Sequence, residues 1–379
     1  MEGIREFVQR NREEVFNTLR QLCAIPAPSH FEQQRAQFCK VWLEGIGAEG
    51  VYIDEADNVI LPINCQGSNA ITVFLAHTDT VFPDREPMPY SDDGEIIRCP
   101  GVGDDTASLT VLLYAAKYLV ENGVFPKNGV LLVCNSGEEG LGNLKGTRQL
   151  FKDYAGRIKT LISFDSTFNK IAHRCVGSHR YEVEVLTEGG HSYGAFGNRN
   201  AIAELSGIIN DIYALQVPQI ENSKTTYNVG EISGGTSVNT IAQSARMLCE
   251  YRSDNEACLA IMEEKFQTIF QSARDRGLEL RVTRVGERPC MGAVDTGKIA
   301  RLTQLCRDII LQATGVEAQT ASSSTDCNIP LSLGIPAISI GVYHGGKAHT
   351  REEWVEKNSL PKGLEVGIRV ILDVTKDTE

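Results

Sequence analysis

From Ile71 onward the chain alternates between short apolar runs and abrupt polar stops. ITVFLA ends at HTDTVFP, VLLVCN at SGEEGLG, TLISF at DSTF, and AISIGV at YHGGKAH. Runs of this length, rich in β-branched residues and bounded by turn formers, predict strands. Between the first two, Ala and Leu recur at helical spacing and predict a helix from about Asp104 to Asn122. Strands alternating with helices indicate an α/β sheet. Upstream, the chain to about Gly47 reads helix, loop, helix, with the prolines of LRQLCAIPAPS ending the first helix.

The middle of the chain has another rhythm. RYEVEVLTEG alternates at period two, NRNAIAELSGIINDIYAL is helical, and TTYNVGEIS and SARMLCEYRS read as strands. NEACLAIMEEKFQTIFQSARDRG follows as a long helix and LELRVTRV as a last strand. The order βαββαβ predicts a small, ferredoxin-like α+β domain. The expected organisation is an α/β domain with a mostly parallel, helix-flanked sheet over residues 1–178 and 287–379, interrupted by an inserted α+β domain over 179–286.

Composition narrows the function. At 379 residues, with 42% hydrophobic and 23% charged, disorder is excluded as the dominant state and there is length for two cores. The longest apolar runs, such as Gly129 to Cys134, fall far short of the ~20 residues that span a bilayer, and the N-terminus is polar, so the expectation is a cytoplasmic protein with no membrane partner. A net charge of -12 disfavours the basic surface that nucleic-acid binding requires. Eleven cysteines without a CxxC pair read as buried free thiols in a reducing compartment, with Cys327, beside a polar segment, held open as lying near a site.

All four apolar runs stop at residues that bind metals: His77 and Asp79, Glu138 and Glu139, Asp165, and His349. Asp104 adds a carboxylate from the Gly-rich turn GVGDDTAS. In open α/β sheets the carboxyl ends of strands share one edge, so these residues should converge. Two imidazoles and several carboxylates, without a thiolate, suit a pair of divalent ions of the zinc kind. Such ions acidify a water into a nucleophile, and two consecutive glutamates allow one to bind metal while the other takes the proton. Singly, each element has an ordinary reading: HxD as a core pair, EE as a solvated loop, a terminal Asp as a cap. Their succession at strand ends favours the site.

The set HTDTV, GVGDDTAS, NSGEEGLGN, SFDS, GGHS with GNRNAI, GGTSVNTI and GKAHTREEW resembles the M20 family of dinuclear-metal peptidases and amidohydrolases, nearest its peptidase T-like and dipeptidase branches, from about Arg20 to Asp373. The resemblance implies that His77 ligates one metal with Asp79 orienting its imidazole. It makes Asp104 the bridging carboxylate, joined to Asp105 by a cis peptide. Glu138 becomes the general base, and Glu139 and Asp165 the terminal ligands. His349 is the second imidazole, with His344 competing for the role. Thr106 stands where many relatives carry Lys.

In the inserted domain, the resemblance makes His191 an oxyanion donor to a neighbouring subunit, against an exposed turn histidine. Asn239 would contact substrate. Arg252 would pair a substrate carboxylate, against a surface ion pair. Ser324, Thr325, Asp326 and Asn328 resemble a polar loop at the site rim. The implied protein is a homodimer, through the inserted domain, with two divalent ions per chain, zinc foremost and manganese or cobalt able to take the same ligands. Its implied function is hydrolysis of the amide bond of small peptides, aminopeptidase, di- or tripeptidase-like, by a metal-activated water. The alternatives are an N-acyl amino acid deacylase of the acetylornithine or succinyl-diaminopimelate type and an inactive scaffold that binds rather than cleaves.

Overall fold

The structure, a computed structural model, describes residues 2–376. The chain divides into two units: one formed by the described residues through Cys175 and from Gly292 onward, the other by Val176–Met291.

The first unit is built on an eight-stranded sheet. Its spatial order is Tyr52–Ile53, Val59–Ile63, Gly129–Asn135, Ile71–His77, Ile158–Phe164, Ala337–Ile340, Lys170–Cys175, Gln319–Ser323. The four strands from Gly129–Asn135 to Ala337–Ile340 run parallel, and three of them are buried along their whole length. Continuous apolar runs are what strands covered on both faces require. Helix Ser359–Lys376 packs on Glu2–Cys23, Ser108–Asn122 and Thr296–Thr314. Gly363 lets this helix also lie against the segment that follows Ala337–Ile340, because a Cβ there would collide with the carbonyl oxygen of Val342.

A second, small sheet has the order Gly345–Gly346, Trp354–Glu356, Ile96–Arg98, Ser91–Asp92, antiparallel throughout. Strands of two or three residues carry no periodicity, so this sheet has no counterpart in the sequence pattern. It joins the chain just before Asp104 to the chain just after His349.

The other unit runs βαββαβ through Gly177–Leu186, Ala201–Tyr213, Thr225–Gly234, Ser244–Ser253, Glu256–Asp275 and Glu279–Arg288. Its sheet is antiparallel, in the order Thr225–Gly234, Ser244–Ser253, Gly177–Leu186, Glu279–Arg288. Alternate residues Tyr181, Val183 and Val185, with Met247, Cys249 and Tyr251, bury against Leu205, Ile208, Phe266 and Phe270 of the two helices. Asn200 and Asn255 begin those helices by accepting from the backbone N–H groups of Ile202 (3.0 Å) and Cys258 (3.1 Å).

All eleven cysteines are free and buried. Among the described residues, no helix is long and apolar enough to cross a membrane.

Candidate active site

The parallel strands end side by side, and the chemistry stands on their ends. His77 is the last residue of its strand and fully buried. Its Nδ1 lies 3.0 Å from the carbonyl oxygen of Asp79 and 3.5 Å from Asp79 Oδ1. With Nδ1 engaged on that side, the ring presents Nε2 to Asp104 Oδ1, 3.1 Å away. Asp104 Oδ2 faces His349 Nε2 at the same 3.1 Å. Each oxygen of one carboxylate thus addresses a different imidazole. His349 Nε2 is also 3.1 Å from Glu139 Oε1.

His349 holds this position at φ 65°, in a turn where Thr350 N–H donates to Lys347 O (3.1 Å); histidine is among the residues that tolerate the left-handed region. The Asp104–Asp105 peptide is cis, as the family resemblance implies. His344 is elsewhere: its ring lies edge-on to Trp354 and its Nε2 is 4.0 Å from Glu356.

Three overlapping sets of potential donor atoms lie within 4.8 Å of one another: His77, Asp104, Asp105 and Asp165; His77, Glu138 and Glu139; and Asp104, Glu139 and His349. Two ligand atoms on one tetrahedral zinc ion are about 3.4 Å apart, so the 3.1 Å spacings are close to those of a metal site. The donors are imidazole nitrogens and carboxylate oxygens, the set that zinc, manganese or cobalt accepts.

The electrostatics point the same way. Burial, then the charge of Asp104, raise Asp165 and lift Glu139 to about 7. Burial opposes ionisation of Asp104, but His349 and His77 hold it below the usual carboxylate range. Hydrogen bonds to Asp104 and Glu139 lift His349 to about 11. Burial works against a charge on His77, yet Asp105, Asp104 and Asp79 raise it. Carboxyls crowded until they resist ionisation, around imidazoles driven towards the cationic form, mark a place that wants positive charge. Divalent cations fit this donor set.

Residues around the candidate ligands organise the site. The Asp79 carboxylate accepts from the N–H groups of Glu138 (3.0 Å) and Glu139 (2.9 Å) and from Ser29 Oγ (2.6 Å). Its carboxylate therefore fixes the glutamate pair, while its carbonyl lies nearer the imidazole. Burial opposes this, but His77 and these donors hold Asp79 at about 2. Asp105 Oδ2 accepts from the backbone N–H of His77 (2.9 Å). Glu353, buried, accepts from the backbone of the Gly101–Asp104 turn.

Arg35 is buried and donates to the carbonyls of Thr78 (2.9 Å), Leu22 (2.9 Å) and Ile25 (2.8 Å). Its Nη1 also reaches Thr106 Oγ1 (3.3 Å). A guanidinium from another helix thus occupies the side of Thr106.

The polar segment after Gln319–Ser323 differs from expectation. Of the four residues expected at a rim, Ser324 is half-buried and Thr325, Asp326 and Asn328 are buried, and Asp326 accepts from Asn135 Nδ2 (2.7 Å) and from Thr147 Oγ1. In the inserted unit, His191 and Asn239 are brought together by pairing of Gly190–His191 with Thr240–Ile241, and Ser192 N–H donates to Asn239 O (2.9 Å). Both are exposed. Arg252 Nε donates to Glu250 Oε1 (2.6 Å), an ion pair within its own strand.

A parallel α/β sheet whose strand ends gather imidazoles and carboxylates in this way defines a metal-dependent hydrolytic enzyme. The chain belongs to peptidase family M20/M25/M40, whose model matches residues 73–373. Among curated proteins it is similar to carboxypeptidase G2 of a Pseudomonas species, 26% identical with 84% of this chain and 77% of that protein covered. It is also similar to a putative succinyl-diaminopimelate desuccinylase of Mycobacterium tuberculosis, 22% identical with 91% and 94% covered. Among solved structures, a tripeptidase from Staphylococcus aureus shares the fold with a TM-score of 0.75 at 20% identity, covering 97% of this chain and 99% of that one. A dipeptidase from Saccharomyces cerevisiae shares it with a TM-score of 0.77 at 12% identity, covering 99% and 98%.

Proposed function

We propose that this chain cleaves the amide bond of small peptides bearing a free α-amino group, as an aminopeptidase, di- or tripeptidase-like enzyme. The observation that carries the reading is the Asp104 carboxylate set between His77 and His349, with Glu138 and Glu139 beside it. His77, Asp104 and Asp165 would hold one ion, and Asp104, Glu139 and His349 a second. Bound there, the ions supply Lewis acidity that polarises the amide carbonyl and lowers the pKa of a water towards neutrality.

Glu138 then accepts the proton of the attacking water and delivers it to the leaving amine. Asp79 keeps Glu138 and Glu139 in register by gripping consecutive N–H groups, so that one carboxylate can serve as base while its neighbour stays a ligand. The preference for free peptides rests on Asp165, since the family resemblance associates Asp at this position with aminopeptidases and dipeptidases. A second reading, N-acyl amino acid deacylation, is favoured by the similarity to the desuccinylase. Purified, metal-loaded protein is expected to hydrolyse unblocked di- and tripeptides and to leave N-acetyl and N-succinyl amino acids intact. The reverse pattern would establish the second reading.

The proposal extends to a homodimer in which His191 is an oxyanion donor, Asn239 contacts substrate, and Arg252 exchanges Glu250 for a substrate carboxylate. His191→Ala should lower kcat without changing metal content, because such a donor acts mainly in the transition state. Mixing this variant with excess Glu138→Gln chains should restore activity once subunit exchange is shown with a tag. Exchange without recovery would confine His191 to its own chain or to no catalytic role.

A further inference from the structure

We propose that Glu353 is a positioning residue for Asp104, setting the angle at which that carboxylate meets its cations; the proposal rests on the metal reading above.

Glu353 is 2% exposed, and no lysine or arginine pairs with it among the described residues. Every hydrogen bond its carboxyl accepts comes from backbone. Oε1 accepts from the N–H groups of Gly103 (2.9 Å) and Asp104 (2.8 Å), and Oε2 from that of Gly101 (2.7 Å). Charge-assisted bonds of this kind are roughly twice as strong as neutral ones, and convergent backbone N–H groups form a natural anion cradle.

The turn is shaped to permit it. Gly101 has φ 76°, and a Cβ there would lie 2.7 Å from Thr80 Cγ2. A Cβ at Gly103 would lie 2.8 Å from Tyr343 Oη and 2.9 Å from Glu353 Oε1 itself. Any side chain at either position would drive the turn off the carboxylate.

The third donor belongs to Asp104, so the clamp fixes the backbone of the residue whose two oxygens face His77 and His349. Glu353 also stands four residues after His349. The strand it leads into, Trp354–Glu356, pairs with Ile96–Arg98, which runs on into the Gly101 turn. One side chain therefore ties the segment bearing one imidazole to the segment bearing the shared carboxylate. A change at Glu353 should be felt as altered metal geometry, not only as lost stability.

Hydrogen-bond valence makes the carboxylate specific. Two donors converge on one oxygen and a third on the other, so both ends must accept. Glutamine has the same shape but one accepting end; its amide nitrogen would set N–H against N–H either at Gly101 or at Gly103 and Asp104.

The test uses the full-length protein loaded with cobalt, whose visible absorption reports ligand geometry. Glu353→Gln is expected to weaken cobalt binding by about 10- to 100-fold, the usual scale for residues that orient ligands, and to change the cobalt spectrum. kcat should fall at saturating metal with KM within about threefold, the signature of a transition-state effect. Wild-type affinity and spectrum, with only a lowered Tm, would make Glu353 a purely structural residue and overturn the proposal. Should that variant fail to fold, Glu353→Asp, which keeps both acceptors and shortens the reach by about 1.5 Å, takes its place: weakened binding with a changed spectrum supports the proposal, and unchanged binding refutes it.

Wild-type protein and Asp104→Asn are titrated alongside. If the wild type takes up no cobalt, or Asp104→Asn binds it normally, the metal reading fails and this proposal with it. If cobalt binds through Asp104 and Glu353→Gln matches the wild type, only the positioning role falls.

Discussion

Replacing Glu138 with glutamine is expected to lower kcat by at least ~10²-fold while the metal content stays unchanged. Glutamine keeps the size of the side chain but cannot take up a proton at neutral pH. Its surroundings should persist, because the backbone of residue 138 is held by Asp79 through an N–H contact of 3.0 Å that the substitution does not touch. Steady-state kinetics together with elemental analysis of the same preparation separates the two effects. Wild-type-like turnover would remove Glu138 from the role of base. Glu139→Gln should behave oppositely, losing metal first, since Glu139 Oε1 is the atom that faces His349.

Asp104→Asn is expected to have the largest effect on ion binding. A single carboxylate contacts both imidazoles, so its loss should disturb both ions together rather than one. In the wild type, saturating ion should raise Tm, because a ligand at a hundredfold its Kd stabilises the folded state by about 2.7 kcal/mol. In Asp104→Asn most of that rise should vanish, together with activity. Without metal, His349 is lifted to about 11 by Asp104 and Glu139 and keeps its proton at neutral pH. Its contribution to metal-free stability is fully present below about 6.5 and fades as pH climbs towards the folded value. Ion uptake must displace that proton, so affinity should strengthen with rising pH and binding should release protons, which calorimetry in buffers of different ionisation enthalpy would read. An ion-induced rise in Tm of wild-type size in Asp104→Asn would show that the cations sit elsewhere.

The parts of this architecture that could be read from sequence are those where a long-range rule acts on a local pattern. Apolar runs fix the parallel strands, and the carboxyl-end rule then predicts that His77, Glu138, Asp165 and His349 meet. Glu353 could not be read this way. It lies in REEW, where an acidic run looks like solvent-facing surface, and its burial depends on a sheet made of strands too short for any period. Ser29 and Arg35 act on carboxylate or carbonyl groups far along the chain, and no spacing rule links them to Asp79 or Thr78. Asp326 failed differently: a run of small polar residues suggests a wet rim, yet the partners that make it tolerable inside, Asn135 and Thr147, come from other segments.

The pairing of Ser178 with Arg288 means that the inserted unit begins and ends on neighbouring positions of adjacent strands. This bears on how the chain assembles. In the first unit, Cys175 must find Ser323 across the whole insertion. If the insertion folds first, as a contiguous segment can, its ends are already pinned together and the loop to be closed shrinks to roughly a quarter, lowering the closure cost by about 1.2 kcal/mol. In that order the insertion would act as a clasp on the strands that flank it. A turn linking residues near 176 and 290 would be the natural replacement for anyone wishing to remove it.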